Sequence, residues 1–80
     1  MSTSTAEQRA ERIRIAELRL QAAKLRVRAC QQDDQAASYM RQGAHPAYDG
    51  QAEICAGKAA QAGSLAAQTR AEADLIEAQI

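Results

Sequence analysis

Aromatic side chains are almost missing from this sequence: Trp and Phe do not occur, and Tyr39 and Tyr48 stand alone. A chain of 80 residues without them cannot draw its stability from large apolar side chains, because the gain from burial scales with area at ~25 cal/mol per Å². A domain of this size also buries only about 60–65% of the surface its unfolded chain exposes. Long apolar runs are missing too. Nothing approaches the ~18 residues of a membrane span, and Met1-Ser2-Thr3-Ser4-Thr5 lacks the apolar core of a secretory signal, so no membrane association and a cytoplasmic location are expected, bacterial, or host-cytoplasmic if the chain is phage-encoded. The two cysteines, Cys30 and Cys55, could pair with one another, but in a chain that looks intracellular they read as reduced thiols acting as small apolar residues. Net charge is zero, which leaves no overall electrostatic footprint for nucleic acid or an anionic membrane.

Catalytic and cofactor chemistry lacks its parts. The single histidine, His45, lies beside the single proline, Pro46, in what reads as a solvated turn. Cys30, His45 and Cys55 are the right residue types for zinc but lack the paired short spacings that deliver ligands in order. No Gly-rich phosphate loop, Gly-x-Ser-x-Gly turn or Glu-x-x-His motif occurs. The expectation is a protein that is not an enzyme, with no metal, no cofactor and no small-molecule substrate. Arg9, Arg12, Arg19 and Arg26 would line one helix face, but Glu7, Glu11 and Glu17 interrupt it and no aromatic platform stacks bases, so nucleic acid is disfavoured.

What is present is alanine, a quarter of all positions, in a pattern that predicts helix. Ser4 or Thr5 followed by Glu7 or Gln8 reads as an N-cap with a capping box. Nothing then breaks a helix until the cluster Gly43-Ala44-His45-Pro46-Ala47-Tyr48-Asp49-Gly50, where Gly43 is expected to take the left-handed position after the first helix and Pro46 to open the second. The fold class follows as all-α, an antiparallel two-helix hairpin in a single domain over 1–80: a helix over about 5–42, a turn at 43–47 and a helix over about 48–79.

Apolar residues fall on alternating three- and four-residue steps in both halves. Ile15, Leu18, Ala22, Leu25, Ala29, Ala36 and Tyr39 make one heptad seam, with Gln32 as its polar intruder. Tyr48, Ala52, Cys55, Ala59, Ala62, Ala66, Thr69, Ala73, Ile76 and Ile80 make the other. Seams this rich in alanine predict coiled-coil-like packing with axes near the lower end of the usual 8–10 Å. Charge agrees with a folded-back chain, since residues 1–28 hold seven basic and three acidic side chains and residues 29–80 hold three and seven. A turn centred at residues 44–45 sets Arg12 and Arg14 near Glu77 and Asp74.

One apolar line is left over. Ile13, Leu20 and Val27 recur every seven residues on the side of the first helix away from its seam, with Ala16, Ala23, Cys30 and Ala37 beside them. A two-helix hairpin buries one stripe per helix, so Ile13, Leu20, Ala23 and Val27, joined by Ile54, Leu65 and Leu75 from the second helix, are the candidate protein-binding residues. The competing reading folds Arg stems across them. Gly57 and Gly63, each costing about 1 kcal/mol inside a helix, either admit a partner's backbone or are simply tolerated.

The stretch Arg41-Gln42-Gly43-Ala44-His45-Pro46-Ala47-Tyr48, preceded by a basic helix and followed by an Ala/Gln-rich one, resembles the turn of the small co-chaperones of type III secretion needle proteins. The resemblance covers the architecture of residues 12–76. It implies a helical hairpin that docks on a helical-repeat chaperone and helps hold a needle subunit unpolymerised in the bacterial cytosol. Three functions are then in play: a cytoplasmic adaptor or co-chaperone docking on one partner protein; a phage- or mobile-element-encoded inhibitor that blocks a host protein or defence complex; and a structural hairpin that completes itself by dimerisation or as a four-helix bundle.

Overall fold

The computed structural model describes residues 4–80 and shows two antiparallel helices joined by a short connection. Helix α1 spans Thr5–Ala44, a single 3-10 turn covers Pro46–Tyr48, and helix α2 spans Ala52–Glu77. No strand occurs among the described residues, so the fold is all-α as expected. Ser4 is the N-cap of α1, with its side-chain oxygen accepting from the Glu7 amide at 3.1 Å. At the other end the helix stops because Pro46 forbids the preceding residue a helical conformation, and His45 is extended at φ −79°, ψ 135°.

The connection differs from the expected turn at 43–47. Gly43 is not left-handed; it stays inside α1, and the positive φ falls to Gly50, at +88°. Pro46 opens only the one-turn 3-10 element, which His45 caps by accepting from the Ala47 amide at its Nδ1, 3.0 Å away. Helix α2 therefore begins at Ala52 rather than Tyr48. Tyr48 is exposed, with its ring edge-on to His45 at 6.3 Å, and contributes nothing to the seam.

Moving the turn moves the register. Asp74 and Glu77 meet Arg26, not Arg12 and Arg14: Arg26 Nη2 lies 2.8 Å from Asp74 Oδ1 and 2.9 Å from Glu77 Oε2. The pairing is displaced by about three helical turns along α1. Three further pairs fix it. Thr69 Oγ1 shares its proton between Gln32 Oε1 and the Leu65 carbonyl, each at 2.9 Å; Arg70 is ion-paired with Asp33; and Lys58 Nζ sits 5.7 Å from the centre of the Tyr39 ring. Gln32, the polar intruder of the first seam, thus meets the one polar residue buried in the second, Thr69.

Between these pairs the seam is made of small residues. Ala22, Ala29, Cys55, Ala59, Ala62, Ala66 and Ala73 form the buried apolar core, while Ile15, Leu18, Leu25 and Ile76 are half-buried. Near the turn the helices are close enough that a Cβ placed on Gly43 would lie only 3.0 Å from the Cβ of Cys55. Since α1 has 40 residues and α2 has 26, the first turns of α1, from Thr5 to about Glu17, project past the end of α2. The molecule is accordingly 69 Å long and only 15 by 9 Å across.

Two stability predictions follow from this packing. Gly43→Ala should gain less than Gly57→Ala or Gly63→Ala, or lower the melting temperature, because its methyl meets the Cys55 Cβ at 3.0 Å and the neighbour must give by a few tenths of an ångström. Gly57→Ala and Gly63→Ala, where nothing lies within 4 Å of the added Cβ, should raise stability by up to ~1 kcal/mol each through helix propensity. Thermal unfolding followed by circular dichroism reads both, and a Gly43→Ala protein stabilised as much as the other two would refute the close approach.

The Arg26 guanidinium, bonded to Glu77, holds that carboxyl below its ordinary value of 4.5, and Arg14 does the same for Glu11 within α1. A depressed carboxyl stabilises the fold above its unfolded pKa and loses that contribution as pH falls through the folded value. The melting temperature should therefore be level from about pH 7 to about pH 5 and fall below about pH 4.5. Glu77→Gln should flatten that fall partly, leaving the share of Glu11; an unchanged profile would show that the Arg26 pair is energetically silent.

Candidate functional site

An α-helix carries residues at i, i+3 and i+7 on one face, so the face of α1 turned away from α2 is set once its inner seam is known. Along that face lie Ile13, Ala16, Leu20, Ala23, Val27 and Cys30, on alternating three- and four-residue steps without a slip. This is a second heptad seam on the back of the first. Its large members are more than half exposed, Ile13 at 53%, Leu20 at 55% and Val27 at 58%. Ala16, Ala23 and Cys30 between them are exposed as well. In the inner seam, by contrast, Ala22 and Ala29 are sealed. The large apolar side chains of α1 are thus divided between two faces, with Ile15, Leu18 and Leu25 half-buried inward and Ile13, Leu20 and Val27 outward, and the folding of Arg stems across the outer three does not cover them.

The next residues in the same phase are charged. Arg9 precedes Ile13 and Asp34 follows Cys30, both exposed and neither in an ion pair among the described residues. On one edge of the outer seam run Arg12, Arg19, Arg26 and Asp33; on the other run Glu17, Lys24 and Gln31. Arg26 and Asp33 are engaged with α2, while Arg12, Arg19, Glu17 and Lys24 make no ion pair among the described residues. Arg26 carries one positive charge against the two carboxylates it holds, so that point of the edge is net negative. Arg9 and Glu17 enter the sequence analysis only as a face weighed for nucleic acid, and Lys24 and Asp34 only in the charge count; the signal for all four is their phase relative to Ile13 and Leu20, which a count of charges does not show.

The second helix does not join this site. Ile54, Leu65 and Leu75 are exposed, but α2 lies on the opposite side of α1 from the outer seam. Ile54 and Leu75 share an outer face of α2 about six turns apart. Leu65 borders a groove at the edge of the inner seam with Gln35, Tyr39, Lys58, Gln61 and Ala62. The expected patch of seven residues is therefore one ordered stripe, Ile13, Leu20, Ala23 and Val27, and three separate residues that the hairpin keeps apart from it.

The residues weighed for metal chemistry are dispersed. Cys30 is exposed on the outer face of α1, Cys55 is buried against Gly43, and His45 is used as a cap in the connection. Among the described residues no group of three or more His, Cys, Asp or Glu side chains is placed to hold a metal ion. None of the helices described is long and apolar enough to cross a membrane. Comparison of the chain with protein-family models, with curated proteins and with solved structures finds no match.

Proposed function

We propose that this chain is a non-enzymatic protein-binding hairpin, of the adaptor or co-chaperone kind, that docks through the outer seam of α1. The observation that carries the reading is the placement of Ile13, Leu20 and Val27, each over half exposed, in unbroken heptad phase with Ala16, Ala23 and Cys30. Scattered exposed apolar residues are ordinary on any protein surface. An ordered stripe of alternating large and small residues is what a second helix packs against, with knobs on one side and room for knobs on the other. The resemblance of the turn to needle-protein co-chaperones agrees with such a role, in which a hairpin lends one helix face to a helical partner.

Leu20→Glu tests this directly. A glutamate at the centre of the stripe should leave the far-ultraviolet helical signal intact, since Leu20 is more than half exposed on the face away from α2. It should also abolish retention of the cognate protein by the immobilised hairpin in its native host, whereas Leu75→Glu, on the far side of the molecule, should leave retention unchanged. Unfolding of the Leu20→Glu protein would return the residue to the intramolecular core, and retained binding would remove the outer seam from the docking role.

A further inference from the structure

The outer seam has a pattern more specific than apolar exposure, and it identifies the helix that fits it. Its large residues occupy one heptad position and its small residues the other. In an antiparallel pair of helices these two positions face one another; in a parallel pair each faces its own kind. Resting on the docking reading above, we propose that in the free protein the occupant of this seam is α1 of a second copy, antiparallel, about a twofold axis between Gln21 and Ala22.

That register makes every layer complementary. Leu20 faces Ala23 of the second copy, Ala16 faces Val27, and Ile13 faces Cys30, so each large side chain enters the space left by a small one. One layer further out Arg9 faces Asp34, and beyond it Ala6 faces Ala37; twofold symmetry repeats each layer at the opposite end. The edges agree. Glu17 lies beside Lys24 of the other copy and Arg12 beside Asp33, which its own Arg70 also holds, while Arg19 lies beside Arg26, whose charge Asp74 and Glu77 offset.

Neighbouring registers fail on charge. Sliding the second helix by one heptad in one direction sets Asp34 against Ala16, and in the other sets Arg9 against Val27. A parallel pair sets Arg9 against Arg9 and Asp34 against Asp34. Like charges opposed and unpaired charges buried in a helical interface are penalised, so the sequence selects the antiparallel register against these three.

The placement also supplies a neighbour to the projecting part of α1. Residues 5–20, which lie mostly beyond the end of α2, run beside residues 38–23 of the other copy. Each α2 is on the far side of its own α1, so neither obstructs the pairing, and the four helices form a row with the two copies of α1 in the middle. A partner protein that docks on the outer seam then competes with the second copy for it.

Sedimentation equilibrium on the purified full chain should return twice the 8.6 kDa mass of one copy at micromolar concentration. Arg9→Asp and Asp34→Arg should each weaken association by about ten-fold or more, and the two together should restore most of it. Under mild oxidation Ile13→Cys should form a disulfide-linked dimer through native Cys30, while the wild-type chain and the Ile13→Cys/Cys30→Ala variant should not. A single-copy mass at tens of micromolar overturns the inference, and so does ready Cys30–Cys30 cross-linking of the wild-type dimer, which requires the parallel arrangement. The docking reading is separable from this outcome: a monomer whose partner retention is lost on Leu20→Glu sinks the second copy as occupant and keeps the seam, whereas partner retention unaffected by Leu20→Glu sinks the seam.

Discussion

The rest of this molecule depends on how close its two helices come. Alanine at Ala22, Ala29, Ala59, Ala62, Ala66 and Ala73, and glycine at Gly43, let the backbones approach to where short side chains fill the gap. Such a seam gains little from area, about 25 cal/mol per Å² on side chains that offer few Å², and it distinguishes poorly between registers because one alanine layer resembles the next. Specification is left to polar contacts: the Thr69–Gln32 bond, the Arg70–Asp33 pair and the Arg26–Asp74–Glu77 cluster. Exposed ion pairs contribute roughly 0.2–1 kcal/mol apiece, which is small beside a large apolar core and decisive where competing alignments differ by little.

From the same economy comes the division of α1 into two faces. The face toward α2 must be small, so its larger members, Ile15, Leu18 and Leu25, cluster toward the end where α2 runs out. The outer face is free of that constraint and carries Ile13, Leu20 and Val27. A short α2 does not reach the first turns of α1, and among the described residues no third element lies on the back of it. The uncovered apolar area thus follows from the helix lengths as well as from the pattern.

Much of this was legible in the sequence. Heptad phase located the inner seams because apolar residues keep three- and four-residue steps along them, and it set Ile13, Leu20 and Val27 on the opposite face of α1 because they recur every seven residues. The alignment of the helices was not legible, for a physical reason. Gly43 reads as a helix stop when only local conformation is considered, yet its lack of a side chain serves the contact with Cys55 across the seam, and Gly50 supplies the left-handed residue. Once the turn is placed nearly two helical turns too early, every cross-helix pair is displaced by twice that, and Arg14 is matched to carboxylates that belong to Arg26. The pairing of Ile54, Leu65 and Leu75 with the outer stripe failed similarly, since phase within one helix says nothing of which way the other helix turns its face.

The contrast between the two faces of α1 bears on what the hairpin is for. Were stability the only demand, the large residues would be expected inward, where burial rewards them, and alanine outward, where it costs nothing. Over residues 13–30 the large residues are instead divided, with Ile15, Leu18 and Leu25 half-buried toward α2 and Ile13, Leu20 and Val27 exposed on the outside. An inner seam of alanine holds α1 straight and thin, with α2 as a splint, and keeps its outer face ordered before any partner arrives. Ordering that face in advance removes a cost of backbone and side-chain entropy that an isolated helix would meet on docking. On this argument α2 acts through α1: its contribution to binding lies in the rigidity it lends to the stripe of Ile13, Leu20 and Val27, which it never touches.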